Sequence, residues 1–397
     1  MSCSQILEGM YAPFYRLPPP QGVCGAVREI GTLERGFLKA LRPYRADFYR
    51  EYGRWARFFQ ATSTRIHLST TDHFPESEAL HAALEDVGGV SVSVQRSIEH
   101  DPRIFRRTAV DVHFAFSQQS ALSERLSGSS VRQFIVAGYL MDGVFPVLRE
   151  YGRRLREQLQ ARGVRYILCF LDENEGVIPR RLGGGRCYRN DYRFLCDRLE
   201  EDEGLGLLLK PKRGESMASR LGPVWGHVER AIRTGRCILL HGSVPDERFL
   251  PGAAAAAADL SISLLNGGTA GLESVLLGTR CLLLDRGRED GGIFRELPPE
   301  SVVFESWDRL WATVQKLRMD PTHPVLGNWD PILDRLVLLR DGRASERISQ
   351  YVGWLYEAFR RGMGRKEALA FALEQYSNAW GRDLSSEILQ PFLERVS

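Results

Sequence analysis

Apolar and polar positions along this chain keep two rhythms, and each change of rhythm marks an element. Residues 33–59 carry Tyr44, Phe48, Tyr49, Tyr52, Trp55, Phe58 and Phe59 at mixed three- and four-residue spacing, which predicts a helix with an aromatic packing face rather than a base-stacking platform. From residue 65 short apolar runs take over. Residues 66–69, the strictly alternating 90–94, 110–116 and 134–137 read as strands, with a helix over 76–87. A long basic helix is expected at 145–161. The second half repeats the layout, with strands at 166–171, 205–209, 237–240, 260–265, 281–284 and 302–305 and helices at 190–199, 225–234 and 307–317. Another helix starts near Ala270 and stops at Gly278. Such short runs, bounded by Gly, Pro and Asn, mark parallel strands buried on both faces, and strands separated by helices predict open α/β layers. The glycine-flanked stretch Gly138-Tyr139-Leu140-Met141-Asp142-Gly143 sets a hinge. The expected organisation is therefore a first domain over 1–143, a second over 144–331 and a helical tail over 332–397.

Open α/β sheets place ligands beyond the carboxyl ends of their strands. In the first half polar groups gather at three such ends: 69–73, 95–100 (including Gln95, Arg96, Ser97, Glu99 and His100) and 117–119. Each is either a ligand contact or an ordinary turn and cap. In the second half Asp172, Glu173 and Glu175 follow one strand, Lys210-Pro211-Lys212-Arg213 the next, and His241-Gly242-Ser243 the third. Asn266-Gly267-Gly268-Thr269 then opens a helix that carries Glu273 in its first turn. A helix start presents free N–H groups and a positive dipole end, so this turn can receive a phosphate; equally, its glycines can serve tight packing alone. Three cations at 210–213 cost free energy to desolvate unless an anion answers them, and are otherwise a solvated loop.

Composition narrows the classes. At 397 residues, with 43% hydrophobic and 26% charged positions, the chain is a globular protein long enough for two domains. A net charge of +3 excludes a polyanion binder by charge alone. The basic runs Arg103, Arg106, Arg107 and Arg153, Arg154, Arg156 read as solvated faces, since neither an aromatic ladder nor a zinc pattern accompanies them, so no nucleic-acid partner is expected. Seven scattered cysteines without a C-x-x-C pair fit a reducing cytoplasm. No apolar run approaches the ~18 residues of a spanning helix, so any membrane contact is expected to be peripheral, at the inner face of the cytoplasmic membrane.

Two Rossmann-like halves joined at a Gly-Tyr-x-x-Asp hinge, the second offering a basic loop and a Gly-Thr-x-x-x-Glu helix start, resemble the GT-B glycosyltransferases of bacterial surface polysaccharide assembly over residues 65–317. The resemblance implies two α/β domains facing across a cleft, with the nucleotide-sugar donor on the C-terminal one and a saccharide or lipid-linked saccharide acceptor on the other. It implies that Lys210, Lys212, Arg213, Gly268 and Thr269 hold the donor phosphates, that Glu273 holds a ribose, and that His241, Gly242, Ser243 and Asn266 line the nucleotide. Lys-Pro-Lys stands where several such families carry His-Pro. With Gln-Arg-Ser-x-Glu and Asp-Glu-Asn, it is most similar to the retaining β-Kdo transferases of lipopolysaccharide assembly, which use CMP-Kdo. That donor carries a carboxylate as well as a phosphate, for which Gln95, Arg96 and Ser97 are candidates. Retention calls for a carboxylate nucleophile, Asp172, with Glu173 and Glu175 as rivals, and for an acid or base, Glu99, with His100 or His241 as rivals. Without an Asp-x-Asp motif or a His cluster, neither metal nor further cofactor is expected. Two alternatives remain: a UDP- or GDP-sugar transferase or sugar-nucleotide epimerase of the same build, and a non-catalytic binding protein of a polysaccharide complex, which leaves the cations at 210–213 unexplained.

Overall fold

The computed structural model describes residues 35–70, 75–98, 108–173, 185–240, 251–286, 292–381 and 384. They form two compact units. The first draws on Met1–Arg96, Pro102–Leu140 and Ala344–Ser397, and the second on Ser97–Asp101 and Met141–Arg343.

In the first unit, α1 (Arg35–Thr62) and α2 (Pro75–Asp86) pack on one another through Tyr52, Ala56 and Phe59 against Ala79, Leu80, Ala83 and Leu84. The aromatic spacing of residues 48–59 thus serves packing. Four parallel strands follow in sequential order: β1 (Ile66–Ser69), β2 (Val90–Val94), β3 (Ala109–Ala115) and β4 (Ser130–Val136), with α3 (Gln118–Leu126) between the last two. Ser117 ends β3 and caps α3, its hydroxyl accepting the Ser120 N–H at 3.1 Å.

The second unit holds, among the described residues, a six-stranded, wholly parallel sheet. It enters through α4 (Phe145–Gln160), then runs β5 (Tyr166–Leu171), α5 (Gly185–Glu201), β6 (Leu205–Lys210), α6 (Met217–Leu221), α7 (Trp225–Arg233) and β7 (Cys237–Leu239). It continues with α8 (Pro251–Ala257), β8 (Leu260–Leu264), α9 (Gly268–Leu276), β9 (Cys281–Leu284), β10 (Val303–Phe304), α10 (Trp307–Met319) and α11 (Asp330–Leu336). All six β5 residues are buried because both sheet faces are covered. Alternate side chains go to opposite layers. Tyr166, Leu168 and Phe170 meet Tyr192, Leu195 and Leu199 of α5 and Leu310 and Val314 of α10, whereas Ile167, Cys169 and Leu171 meet Leu155 and Leu159 of α4 and Ala254 and Ala257 of α8.

The alanine run is explained by that second layer. A Cβ added at Gly152 of α4 would lie 2.7 Å from the Ala256 Cβ and 2.9 Å from the Ala257 nitrogen, so the helices approach closely only because both surfaces are small. Arg156 locks the contact, donating to the Ala257 carbonyl at 3.0 Å and to Asp259 at 2.5 Å. Its neighbours Arg153 and Arg154 pair with Glu150 and Glu157 on the exposed face, as expected of a solvated basic run.

The last helices, α12 (Ala344–Arg360) and α13 (Arg365–Trp380), group with the first unit. Tyr351 stands edge-on to Phe114 of β3 at 5.4 Å between ring centres. The Tyr376 hydroxyl donates to the Val136 carbonyl at 2.9 Å, and Arg365 bridges Asp111 and Glu85. Among the described residues no helix is long and apolar enough to cross a membrane.

Candidate functional site

The winding of the second sheet reverses between β5 and β8: the chain moves outward through β6 and β7, then returns to the other flank for β8, β9 and β10. At such a reversal the flanking connections leave toward opposite faces and the carboxyl ends of the strands open a crevice. Leu171 of β5 is in register with Lys210 of β6 on one side and Ser263 of β8 on the other. Asp172, Lys210 and the turn from Leu265 to Thr269 therefore share one sheet edge. Sequence spacing alone placed each at a strand end; the strand order places them at the same reversal.

Asp172 is 5% exposed and both its oxygens are engaged. Oδ2 accepts the Tyr192 hydroxyl at 2.6 Å and Oδ1 accepts the Lys212 N–H at 2.5 Å. Burial pushes its carboxyl above the ordinary carboxylate value, against the opposing pull of the Tyr192 hydroxyl, the Lys212 amide and the Arg220 charge. One oxygen thus holds the loop that follows β6 and the other is tied to the α5 core. Tyr192 is itself wholly enclosed, 5.5 Å from the Phe170 ring and 4.9 Å from Tyr188, and the Arg220 guanidinium covers the Tyr188 ring at 4.6 Å.

The three cations differ in state. Lys210 is half-buried, and its Nζ donates to the Pro211 carbonyl at 2.9 Å. Burial lowers its pKa, while the charges of Asp172, Glu215 and Glu273 partly restore it. Two of its three ammonium protons are left for other acceptors. Lys212 is exposed and pairs with Glu173 at 2.5 Å, while the exposed Arg213 offers its carbonyl to Arg220 Nη2 at 2.5 Å.

Across the reversal, Gly268 is buried and opens α9, with Asn266 exposed just before it. The Thr269 Oγ1 accepts the Ile98 N–H at 3.0 Å, within the second unit as grouped by contacts. Glu273, expected at a ribose, is 5% exposed and accepts the Gly252 N–H at 3.1 Å, which satisfies one of the open amides at the start of α8. Gly252 is required there: an added Cβ would sit 2.5 Å from Glu273 Oε1.

In the first unit Gln95 is 3% exposed, with Oε1 accepting the Phe116 N–H at 2.7 Å and Nε2 donating to the Ser120 hydroxyl at 3.3 Å. It bridges the ends of β2 and β3 through both atoms of its amide. Arg96 is exposed and Ser97 partly so. Glu99, His100, Glu175, His241, Gly242 and Ser243 lie outside the described residues. Among the described residues no three His, Cys, Asp or Glu side chains gather as a metal site.

Two features had no counterpart in the sequence reading. Tyr188 and Tyr192 stand one turn apart on α5, a spacing that was available, but a buried tyrosine pair reads as ordinary core. Asp191 of α5 forms a buried ion pair with Arg286, just past β9, and accepts the Trp307 Nε1–H at 2.7 Å. A partner of that kind, far away in sequence, leaves no local signal.

No protein-family model and no curated protein matches the chain. Solved structures do. MnaA of S. aureus, in a co-structure with UDP, is 14% identical with a TM-score of 0.50, covering 79% of this chain and 82% of that one. A putative UDP-N-acetylglucosamine 2-epimerase from Listeria monocytogenes is 13% identical, also at 0.50, covering 79% of each chain. At such identity the likeness is one of fold: this chain has two parallel-sheet, Rossmann-like α/β units, as its GT-B-like neighbours do.

Proposed function

We propose that the chain is a nucleotide-sugar-dependent glycosyltransferase whose donor is a UDP-sugar and whose acceptor is a saccharide or lipid-linked saccharide. One observation carries the reading: at the winding reversal of the second sheet, a half-buried lysine and the amino end of α9 share one edge. Lys210 supplies a cation with protons to spare, Arg213 an exposed one, and the amides of Thr269 and Ala270 a dipole end worth roughly half a positive charge. Together they suit a diphosphate, which leaves with negative charge that must be stabilised as the glycosidic bond breaks. Uridine is preferred to the cytidine of a 3-deoxy-2-ulosonic acid donor because one of the fold neighbours holds UDP.

Calorimetry with UDP, GDP and CMP tests the donor. UDP should bind at least about tenfold more tightly than CMP, a gap of about 1.4 kcal/mol. Tighter CMP binding would restore the 3-deoxy-2-ulosonic acid donor, and no binding of any nucleotide removes the proposal. A second reading, epimerisation of the donor sugar, is favoured by the Listeria monocytogenes neighbour. It predicts a changed configuration in the UDP-sugar without any acceptor, whereas transfer predicts UDP release that rises when acceptor is added.

A further inference from the structure

We propose that Tyr192, acting through Asp172, is the positioning residue that sets the Lys210–Arg213 loop for the donor diphosphate. The inference rests on the nucleotide-sugar reading above and adds to it the device that holds the cations in place.

Lys210, Lys212 and Arg213 lie within four consecutive positions, and like charges so close repel unless the backbone is held. Two fasteners hold it. Asp172 Oδ1 accepts the Lys212 N–H at 2.5 Å, and Arg220 Nη2 donates to the Arg213 carbonyl at 2.5 Å. The first is the stiffer, because Asp172 ends β5 and its other oxygen is fixed by the Tyr192 hydroxyl at 2.6 Å. Tyr192 has no freedom of its own: it is 0% exposed, set edge-on to Phe170 and packed on Tyr188. The line of contacts runs from the α5 core to a carboxylate and on to the backbone amide between the cations. Removing the phenol oxygen leaves the ring packed and frees the carboxylate to turn, and the Lys212 amide turns with it. Neither residue touches substrate in this account, so the effect reaches the bound diphosphate only through the placement of the cations.

The test is titration of the full chain with UDP together with steady-state kinetics on a UDP-sugar. Tyr192→Phe should weaken UDP binding about tenfold and raise the donor KM by a similar factor, the scale of a lost hydrogen bond to a charged group. Asp172→Ala should do the same. Asp172→Asn, which keeps an acceptor for the Lys212 N–H, should recover most of the affinity and stay active. Tyr376→Phe removes a buried hydroxyl of the first unit, bonded to Val136, and should leave UDP affinity at the wild-type value. If the wild type binds no UDP, the nucleotide-sugar reading itself fails. If the wild type binds UDP but Tyr192→Phe binds it equally well, or is weakened no more than Tyr376→Phe, the positioning role is overturned. An inactive Asp172→Asn enzyme with intact UDP binding also overturns it and returns Asp172 to the chemistry. Should Tyr192→Phe fail to fold, the comparison of Asp172→Ala with Asp172→Asn decides alone.

Discussion

Replacing Gly152 by alanine probes the contact that carries the chain from β7 to β8 and so into the proposed site. In an exposed helix the change gains about 1 kcal/mol, because alanine loses less backbone entropy on folding. At Gly152 the new Cβ would meet the Ala256 Cβ at 2.7 Å, the Ala256 carbonyl carbon at 2.8 Å and the Ala257 nitrogen at 2.9 Å. Two of these are backbone atoms, so no side chain can turn away and α8 must shift as a body. Overpacking costs about 1–3 kcal/mol, and a backbone obstacle puts this site in the upper half of that range, leaving a net loss of about 1–2 kcal/mol. For a unit of this size the melting temperature should fall by about 2–8 °C. Gly353 of α12 is the matched control, since a Cβ there meets nothing within 4 Å. Gly353→Ala should stabilise by about 0.5–1 kcal/mol. Thermal and denaturant unfolding of both variants checks the pair; if Gly152→Ala stabilised the protein as Gly353→Ala does, the close approach of α4 and α8 would be refuted.

Gln95→Leu leaves the buried Phe116 N–H without its acceptor and should cost about 1–3 kcal/mol of stability while UDP affinity stays unchanged; a variant as stable as the wild type would argue that Gln95 faces a ligand after all. Stability should also depend on pH through Asp172. Its folded pKa is raised by burial, so above the ordinary value of about 3.9 the folded state retains a proton that the unfolded state has lost, and stability falls as pH rises through that window. Asp172→Asn removes this term, so the variant should gain on the wild type from about pH 4 upward, and a difference constant with pH would contradict it. A phosphate beside Lys210 should raise again the pKa that burial lowers. UDP binding in alkaline buffer should therefore take up a proton in the wild type and not in Lys210→Arg, as read from calorimetry in buffers of different ionisation heat.

The strands of the second unit were legible because burial on both faces writes them as uninterrupted apolar runs, as in residues 166–171 and 281–284. The helix starts were legible where glycines precede an apolar period, as at Gly268. What sequence could not reveal was direction. Gln95, Asp172 and Glu273 all follow or flank strand ends in the manner of ligand contacts, yet each turns to a backbone amide: Phe116, Lys212 and Gly252. A polar side chain at a strand end can serve a ligand or an orphaned N–H, and the choice depends on neighbours 20 to 40 positions away. The alanine run at 253–258 carries no periodic signal of its own. Its composition acquires a reason from Gly152 on a facing helix about a hundred positions earlier, a pairing with no trace in local periodicity.

The most direct test of the account is a crystal structure of the protein with UDP bound. The diphosphate should lie at the carboxyl ends of β5 and β8, within hydrogen-bonding distance of Lys210 Nζ and of the Thr269 or Ala270 amide. A nucleotide seated elsewhere, with Lys210 still turned to the Pro211 carbonyl and the start of α9 untouched, would contradict it.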